Sequence, residues 1–280
     1  MKIIIIGAGR IGTVMGYLLK ENGFDIIGVK NKNLDSARRA VEVIGTGRAF
    51  TNEELKEKIK LADLIIVTTP DDTIAAIVNY LDHSILKKPV YIMHMSGLHP
   101  ARILNKNNIE RRYVFSLHPL QSVTNLKEGI ELLPDSVFSL EGDKEGLEIG
   151  KMIANRLDLN YHLIKSENKS LYHAAAVIAS NYFVTLVNSS FEVLKEAEIE
   201  NQDIKKGILN MVTVTLSNLK KMDPDKALTG PVARGDVNTI KEHREQLKEM
   251  NINQLKLYDV LGDYTAQMVG KESLRTLFKS

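Results

Sequence analysis

Ile3-Ile4-Ile5-Ile6-Gly7-Ala8-Gly9-Arg10-Ile11-Gly12 is the stretch that decides the fold of this 280-residue chain. Four β-branched residues in a row make a short buried strand. The strand halts at G-x-G-x-x-G, and a helical pattern follows through Lys20. In that setting Gly7 permits the tight turn, Gly9 lets a pyrophosphate approach the backbone, and Gly12 lets the helix pack against the strand. The helix N-terminus, with Ala8, Arg10 and Ile11, offers amides and a positive dipole end to phosphates. The alternative is a glycine loop with a structural purpose only.

A second strand is expected at Asp25–Lys30, and its end selects the nucleotide. Folds that bind NAD place an acid there to hold the ribose 2′-hydroxyl. Here the chain reads Val29-Lys30-Asn31-Lys32-Asn33, with no acid before Asp35. Lys30, Asn31 and Lys32 suit a 2′-phosphate, so the expected cofactor is NADP, with NAD possible. The alternative is that both lysines are solvated loop charges.

Further strands are expected at Leu64–Thr68, Val90–Met95 and Tyr113–Leu117, with helices between them. Each ends in small or polar residues: Thr69-Pro70-Asp71, His94-Met95-Ser96-Gly97 and His118-Pro119-Leu120. In a parallel sheet these carboxyl ends line one edge, where ligands bind. Thr69 and Pro70 are assigned to the cofactor, and Ser96 and His118 to a substrate. His94 and His118 are also readable as loop histidines or a metal pair. No metal is expected, because no acidic or third histidine ligand sits beside them at a suitable spacing. Ser136–Leu140, a helix from Lys144 and Tyr161–Ile164 extend the sheet.

Ser166 to about Ala197 reads as one long helix, capped by Ser166 and free of Gly and Pro. Its middle, Ala174 to Val187, is apolar on nearly every side, the pattern of a helix buried all round. Lys169, His173 and Ser180 share a sector, with Asn181 further round, and such groups are costly to bury without partners or a ligand. Helices are expected at Asp203–Met222, Val237–Met250 and Asn253–Val269. Between the first two lies Ala227-Leu228-Thr229-Gly230-Pro231-Val232-Ala233-Arg234-Gly235-Asp236, where Asp236 is placed to cap the next helix. Arg234 between its flanking residues suits a fork onto a carboxylate. The expected organisation is a Rossmann-like dinucleotide-binding α/β domain over 1–165 and an all-helical domain over 166–280.

Charge is nearly balanced, at a formal +2, so no basic surface argues for nucleic acid. The absence of cysteine excludes disulfides and thiolate chemistry and fits a cytoplasmic protein. No apolar run approaches the roughly 20 residues of a membrane span, and structure is expected from Lys2, leaving no room for a leader. A soluble protein without nucleic-acid or membrane partners is expected.

Tyr172-His173-Ala174-Ala175-Ala176-Val177-Ile178-Ala179-Ser180-Asn181, Ala227-Leu228-Thr229-Gly230-Pro231 with Arg234-Gly235-Asp236, and Leu117-His118-Pro119-Leu120 resemble a known two-domain family. In it a Rossmann-like domain precedes a helical domain of unknown function, numbered 2520, and members are called short-subunit dehydrogenase-like oxidoreductases. The likeness covers essentially the whole chain. It implies a helical domain like the C-terminal domain of 6-phosphogluconate dehydrogenase, a homodimer formed through it, and distant kinship with ketopantoate reductase, pyrroline-carboxylate reductase and the β-hydroxyacid dehydrogenases. Several of those kin carry a catalytic lysine at the start of the interdomain helix and an asparagine four residues on. Lys169 matches the lysine; position 173 is His instead of Asn.

The resulting expectation is an NADP-dependent reductase of a small carboxylate-bearing carbonyl or imine, such as a 2-oxo acid. Lys169 or His173 supplies the proton, Ser180 or Asn181 orients the substrate, and Arg234 with Thr229 and Gly230 holds its carboxylate. The alternative is a binding protein that senses NADP(H) without turnover.

Overall fold

The computed structural model describes residues 1–82 and 89–279. Its first half alternates β1 (Lys2–Ile6), α1 (Arg10–Glu21), β2 (Asp25–Lys30), α2 (Leu34–Ile44), α3 (Asn52–Lys58), β3 (Leu64–Val67), α4 (Asp71–Asp82) and β4 (Val90–His94). It continues through β5 (Arg112–Pro119), α5 (Leu126–Leu132), β6 (Val137–Gly142), α6 (Lys144–Arg156) and β7 (Asn160–Leu163). These strands form one sheet in the order β2-β1-β3-β4-β5-β6-β7. All neighbours are parallel except β5 and β6, which run antiparallel.

The isoleucine run explains why the sheet is covered on both faces. Successive side chains of a strand point to opposite sides, so Ile3 and Ile5 join one buried cluster with Met15 and Leu19 of α1. Ile4 and Ile6 join the other, with Leu55 of α3 and Ile74 of α4. All four are at most 3% exposed. At roughly 1.5–3 kcal/mol for each large apolar side chain buried, such strands dominate the stability of the sheet.

The helical half comprises α7 (Lys169–Val177), α8 (Phe183–Glu196), α9 (Gln202–Leu219), the one-turn helices α10 (Pro224–Ala227) and α11 (Pro231–Arg234), α12 (Val237–Met250), α13 (Ile252–Met268) and α14 (Glu272–Arg275). The chain divides into two compact units, 1–180 and 181–280. The start of the long helix therefore packs with the sheet.

Three sequence expectations for that helix are corrected. Ser166 does not cap it; it lies in a single 3₁₀ turn, and its hydroxyl donates to the Glu141 carboxylate instead. The helix is not uniform, since one wide π turn, Ile178–Tyr182, separates α7 from α8. It is not buried all round either: Lys169 is its buried residue, while Leu171, Ile178, Tyr182 and Val184 are exposed. An apolar pattern says that a surface favours being covered, without saying by what. Contrary to the expectation that no segment is apolar enough for a membrane span, Ser166–Glu196 is long and apolar enough to cross one by length and composition alone.

Within the second unit, the stretch around Arg234 forms the short helices α10 and α11. Asp236 occupies the position before α12 without capping it by its side chain. Its carboxylate instead accepts from Arg234 Nε at 2.8 Å and pairs with Nη2 at 2.7 Å. A nearby guanidinium outcompetes a backbone amide for that carboxylate because the bond is charge-assisted on both sides.

Candidate active site

The glycine loop has the geometry its sequence asks for. Gly7 lies at φ +94, and a Cβ there would sit 2.5 Å from the Thr69 methyl. At Gly12 a Cβ would meet Thr68 Oγ1 at 2.2 Å, so only glycine lets α1 approach β3 this closely. Thr68 Oγ1 donates to the Gly7 carbonyl and locks the turn. Gly9 precedes α1 with an open approach, since a Cβ there would meet nothing nearer than the Gly7 carbonyl at 3.9 Å. No side chain caps α1 and no acid lies in its first turn, so its leading amides and dipole face a cleft fit for phosphates.

That cleft, about 1120 Å³, runs from Gly7, Gly9, Arg10 and Ile11 past Lys30, Asn31 and Lys32 to Thr69, Pro70 and His118. Ala8 is buried beneath it, and its carbonyl accepts from Asn31 Nδ2 at 2.9 Å, tying the end of β2 to the glycine loop. Lys30 donates to the carbonyl of Asn31. Arg10 reaches across to the Thr124 carbonyl at 3.0 Å and fastens the segment after β5 over the loop.

The antiparallel turn of the sheet builds the second half of the site. In the β5–β6 register Ser116 faces Glu141 and His118 faces Ser139, and in the β6–β7 register Ser139 faces His162. Residues two apart on a strand share a face, so two polar rows lie side by side in a buried sheet. The helix start covers them. Lys169, 0% exposed, donates from Nζ to Ser116 Oγ at 2.7 Å and to the Ser96 carbonyl at 3.1 Å. One turn on, Tyr172 packs edge-on against His118 and His162, and His173 packs edge-on against His118 at 5.9 Å between ring centres.

Gly97 leaves space for these rings. A Cβ there would lie 2.6 Å from His173 Nδ1 and 2.8 Å from His118 Nε2. His118 Nδ1 and His173 Nδ1 are buried atoms without a protein hydrogen-bond partner, so both imidazoles can engage a ligand. His118 lies within β5 and not in the loop beyond it, where the sequence reading put it. Ser96 contributes its carbonyl to Lys169, while its hydroxyl accepts from the amides of Leu98 and His99 and shapes the turn.

Burial governs the electrostatics. It pushes the Lys169 ammonium down to about 8, against the pull of Glu141 and Asp71, which favour the charged form. His118 is lowered to about 4, first by burial and then by Lys169 and His173. His94, at the end of β4, is lowered to about 3 by burial and then by Lys169. Its Nδ1 accepts from the Ser96 amide, fixing the tautomer. At neutral pH Lys169 is thus a cation beside the neutral rings of His94 and His118.

Residues 136–265 match the family described as domain of unknown function 2520, DUF2520. Over that span the chain is similar to DUF2520. Residues 1–114 match the NADPH-binding domain of acetohydroxy acid isomeroreductase. The two-part architecture expected from the motifs therefore holds. The DUF2520 match begins inside the sheet and takes in Ser139, Glu141, Lys169, Tyr172 and His173 together.

A solved structure from Thermotoga maritima is 28% identical, with 97% of this chain and 99% of that chain covered at a TM-score of 0.73. An inferred NADP oxidoreductase from Bacteroides fragilis is 24% identical, covering 95% and 98% at a TM-score of 0.77. An imine reductase from Myxococcus stipitatus, in complex with NADP+, is 12% identical, covering 97% and 93% at 0.63. The last two show a shared fold. The chain spans about half the length of the curated relatives it matches, 46% and 55%.

Of the other residues singled out by sequence, Ser180 and Asn181 lie exposed in the π turn. Thr229, Gly230 and Arg234 belong to the second unit, where the Arg234 fork is engaged with Asp236. Among the described residues no group of three or more His, Cys, Asp or Glu is arranged to hold a metal. Sequence reasoning missed Gly97, Ser116, Ser139, Glu141 and Tyr172. A signal existed for three of them: polar residues at every second position of two otherwise apolar strands, in Phe115-Ser116-Leu117-His118 and Phe138-Ser139-Leu140-Glu141.

Proposed function

We propose that the chain is an NADP-dependent oxidoreductase that reduces a small carboxylate-bearing carbonyl or imine, with 2-oxo acids such as ketopantoate and cyclic imines such as pyrroline carboxylate as the leading candidates. The observation that carries this reading is a buried, proton-bearing lysine held beside two partly unsatisfied imidazoles, one of which, His118, also lines the nucleotide cleft. A bound nicotinamide supplies hydride to the electrophilic carbon. Lys169 Nζ holds the proton that the oxygen or nitrogen of that bond must receive. His118 and His173 orient the group through their ring nitrogens, and the closed sheet face keeps water away from Nζ. The NADP preference rests on Lys30, Asn31 and Lys32 at the end of β2. The exposed apolar residues of α8 and α9, among them Val184, Met211 and Val214, support a homodimer formed through the helical half.

The direct test is a panel of 2-oxo acids and cyclic imines assayed for NADPH consumption. At least one compound should drive turnover. A broad panel without turnover, while NADPH still binds tightly, would overturn the enzymatic reading in favour of a redox sensor.

Gly97→Ala provides a structural check on the same reading. The added methyl collides with both imidazole edges but asks for no forbidden backbone angle. A displaced orienting group of this kind costs about 10²-fold in kcat, and the melting temperature should change little. A variant as active as the unmodified protein would show that the two rings do not orient substrate.

A further inference from the structure

The sheet buries a carboxylate behind Lys169 that the proposed reaction does not itself use. Glu141, 6% exposed on β6, receives three hydrogen bonds from three different segments. The Ala101 amide, after the Ser96–Gly97 turn, donates to Oε2 at 2.7 Å. Ser116 of β5 donates to the same oxygen at 3.2 Å, and Ser166, just before α7, donates to Oε1. Every partner is a donor, the arrangement that suits an ionised carboxylate with only acceptor sites.

We propose that Glu141 is the positioning residue that keeps Lys169 protonated, acting through the Ser116 hydroxyl. The inference rests on the reading of Lys169 as proton donor. Its polarity follows from donor and acceptor inventory alone. An ammonium has no acceptor and a carboxylate no donor, so a hydroxyl between them accepts from Lys169 and donates to Glu141. Antiparallel pairing of β5 with β6 sets Ser116 opposite Glu141 and makes this line possible. By also fastening the Ala101 amide and Ser166, Glu141 ties down the turn and the helix start that hold Lys169.

The surroundings leave Glu141 a defined task. Around Lys169 stand His94 from β4, His118 from β5, His173 from its own helix, and Asp71 at the start of α4. His94 and His118 are held neutral by burial and by the Lys169 charge, so neither adds a positive charge against the ammonium. Glu141 and Asp71 both favour the charged amine, and Glu141 is the stronger influence. It is also joined to the amine by a continuous hydrogen-bonded path.

The test is a pH titration of protein labelled with ¹³C-lysine, without cofactor or substrate, following the Lys169 ε-methylene resonance assigned through Lys169→Met. Glu141→Gln should lower the Lys169 midpoint by about one pH unit or more, the usual scale for removing an adjacent opposite charge. The alkaline limb of kcat/KM should move by the same amount. Ser116→Ala should lower the midpoint in the same direction, because it removes an acceptor for the charged amine. An unchanged midpoint in folded Glu141→Gln overturns the proposal; should that variant not fold, an unchanged midpoint in Ser116→Ala does so. A shifted midpoint in a protein that turns over no substrate would uphold the Glu141 assignment and reject the reductase reading. Turnover with an unmoved midpoint would reject Glu141 alone.

Discussion

Lys169→Met is expected to lower kcat by roughly 10²–10⁴-fold, the usual loss on removing a positioned general acid, with NADPH affinity little changed. Lys169 is not among the residues lining the nucleotide cleft, so the cofactor should not sense the change. Some stability should be lost as well, because Met leaves the buried Glu141 carboxylate without its cation and the Ser96 carbonyl without its donor. A cooperative melting transition well above the assay temperature would exclude unfolding as the cause. The pH profile carries the same signature. The amine is protonated below about 8 and loses its proton as pH rises through that value. Activity that depends on the protonated form is therefore full below that point and lost above it, and the limb should vanish in the residual rate of Lys169→Met. His173→Asn separates the two candidate acids. Activity surviving there while collapsing in Lys169→Met makes lysine the donor; the opposite pattern assigns the proton to His173.

Calorimetry should show NADPH binding more tightly than NADH by about one to a few kcal/mol, the scale of one or two charge-assisted hydrogen bonds. Lys30 and Lys32 lie along the cleft at the end of β2, and no carboxylate competes for the position. Lys30 spends one ammonium hydrogen on the Asn31 carbonyl and keeps two for a phosphate. Replacing both lysines by Ala should erase most of the gap by weakening NADPH binding and leaving NADH nearly untouched. Equal affinities in the unmodified protein would remove the 2′-phosphate from the account.

The glycine loop and the strands beside it were legible because their signals are local. A four-residue apolar run, a glycine spacing and a change of period all lie within the first 21 residues, and β2 falls at Asp25–Lys30 as expected. Lys169 and His173 were legible through the family motifs and the polar sector of the helix. Glu141 was not, because its role depends on register: Ser116 and Glu141 are 25 residues apart and meet through an antiparallel return that strand patterns do not specify. The exposure of Leu171, Ile178 and Val184 was hidden for a different reason. Hydrophobic pattern reports a preference for cover and is silent on whether the same chain provides it. Ser166 and Asp236 show a third limit, since each has the right chemistry to cap a helix but meets a stronger partner, the distant Glu141 or the neighbouring Arg234.

The central claim is that Lys169 gives the proton to a substrate reduced by a nicotinamide cofactor, whose pyrophosphate the Gly7–Gly12 loop would hold. Its most direct test is to incubate the protein with NADPH carrying deuterium on the transferable face of the nicotinamide C4, together with the oxo-acid and imine panel, and to read product masses. One deuterium should appear on the reduced carbon of at least one product, and the yield should fall in Lys169→Met by the same factor as kcat. Deuterium remaining wholly on the cofactor, in a protein that binds NADPH tightly, would contradict it.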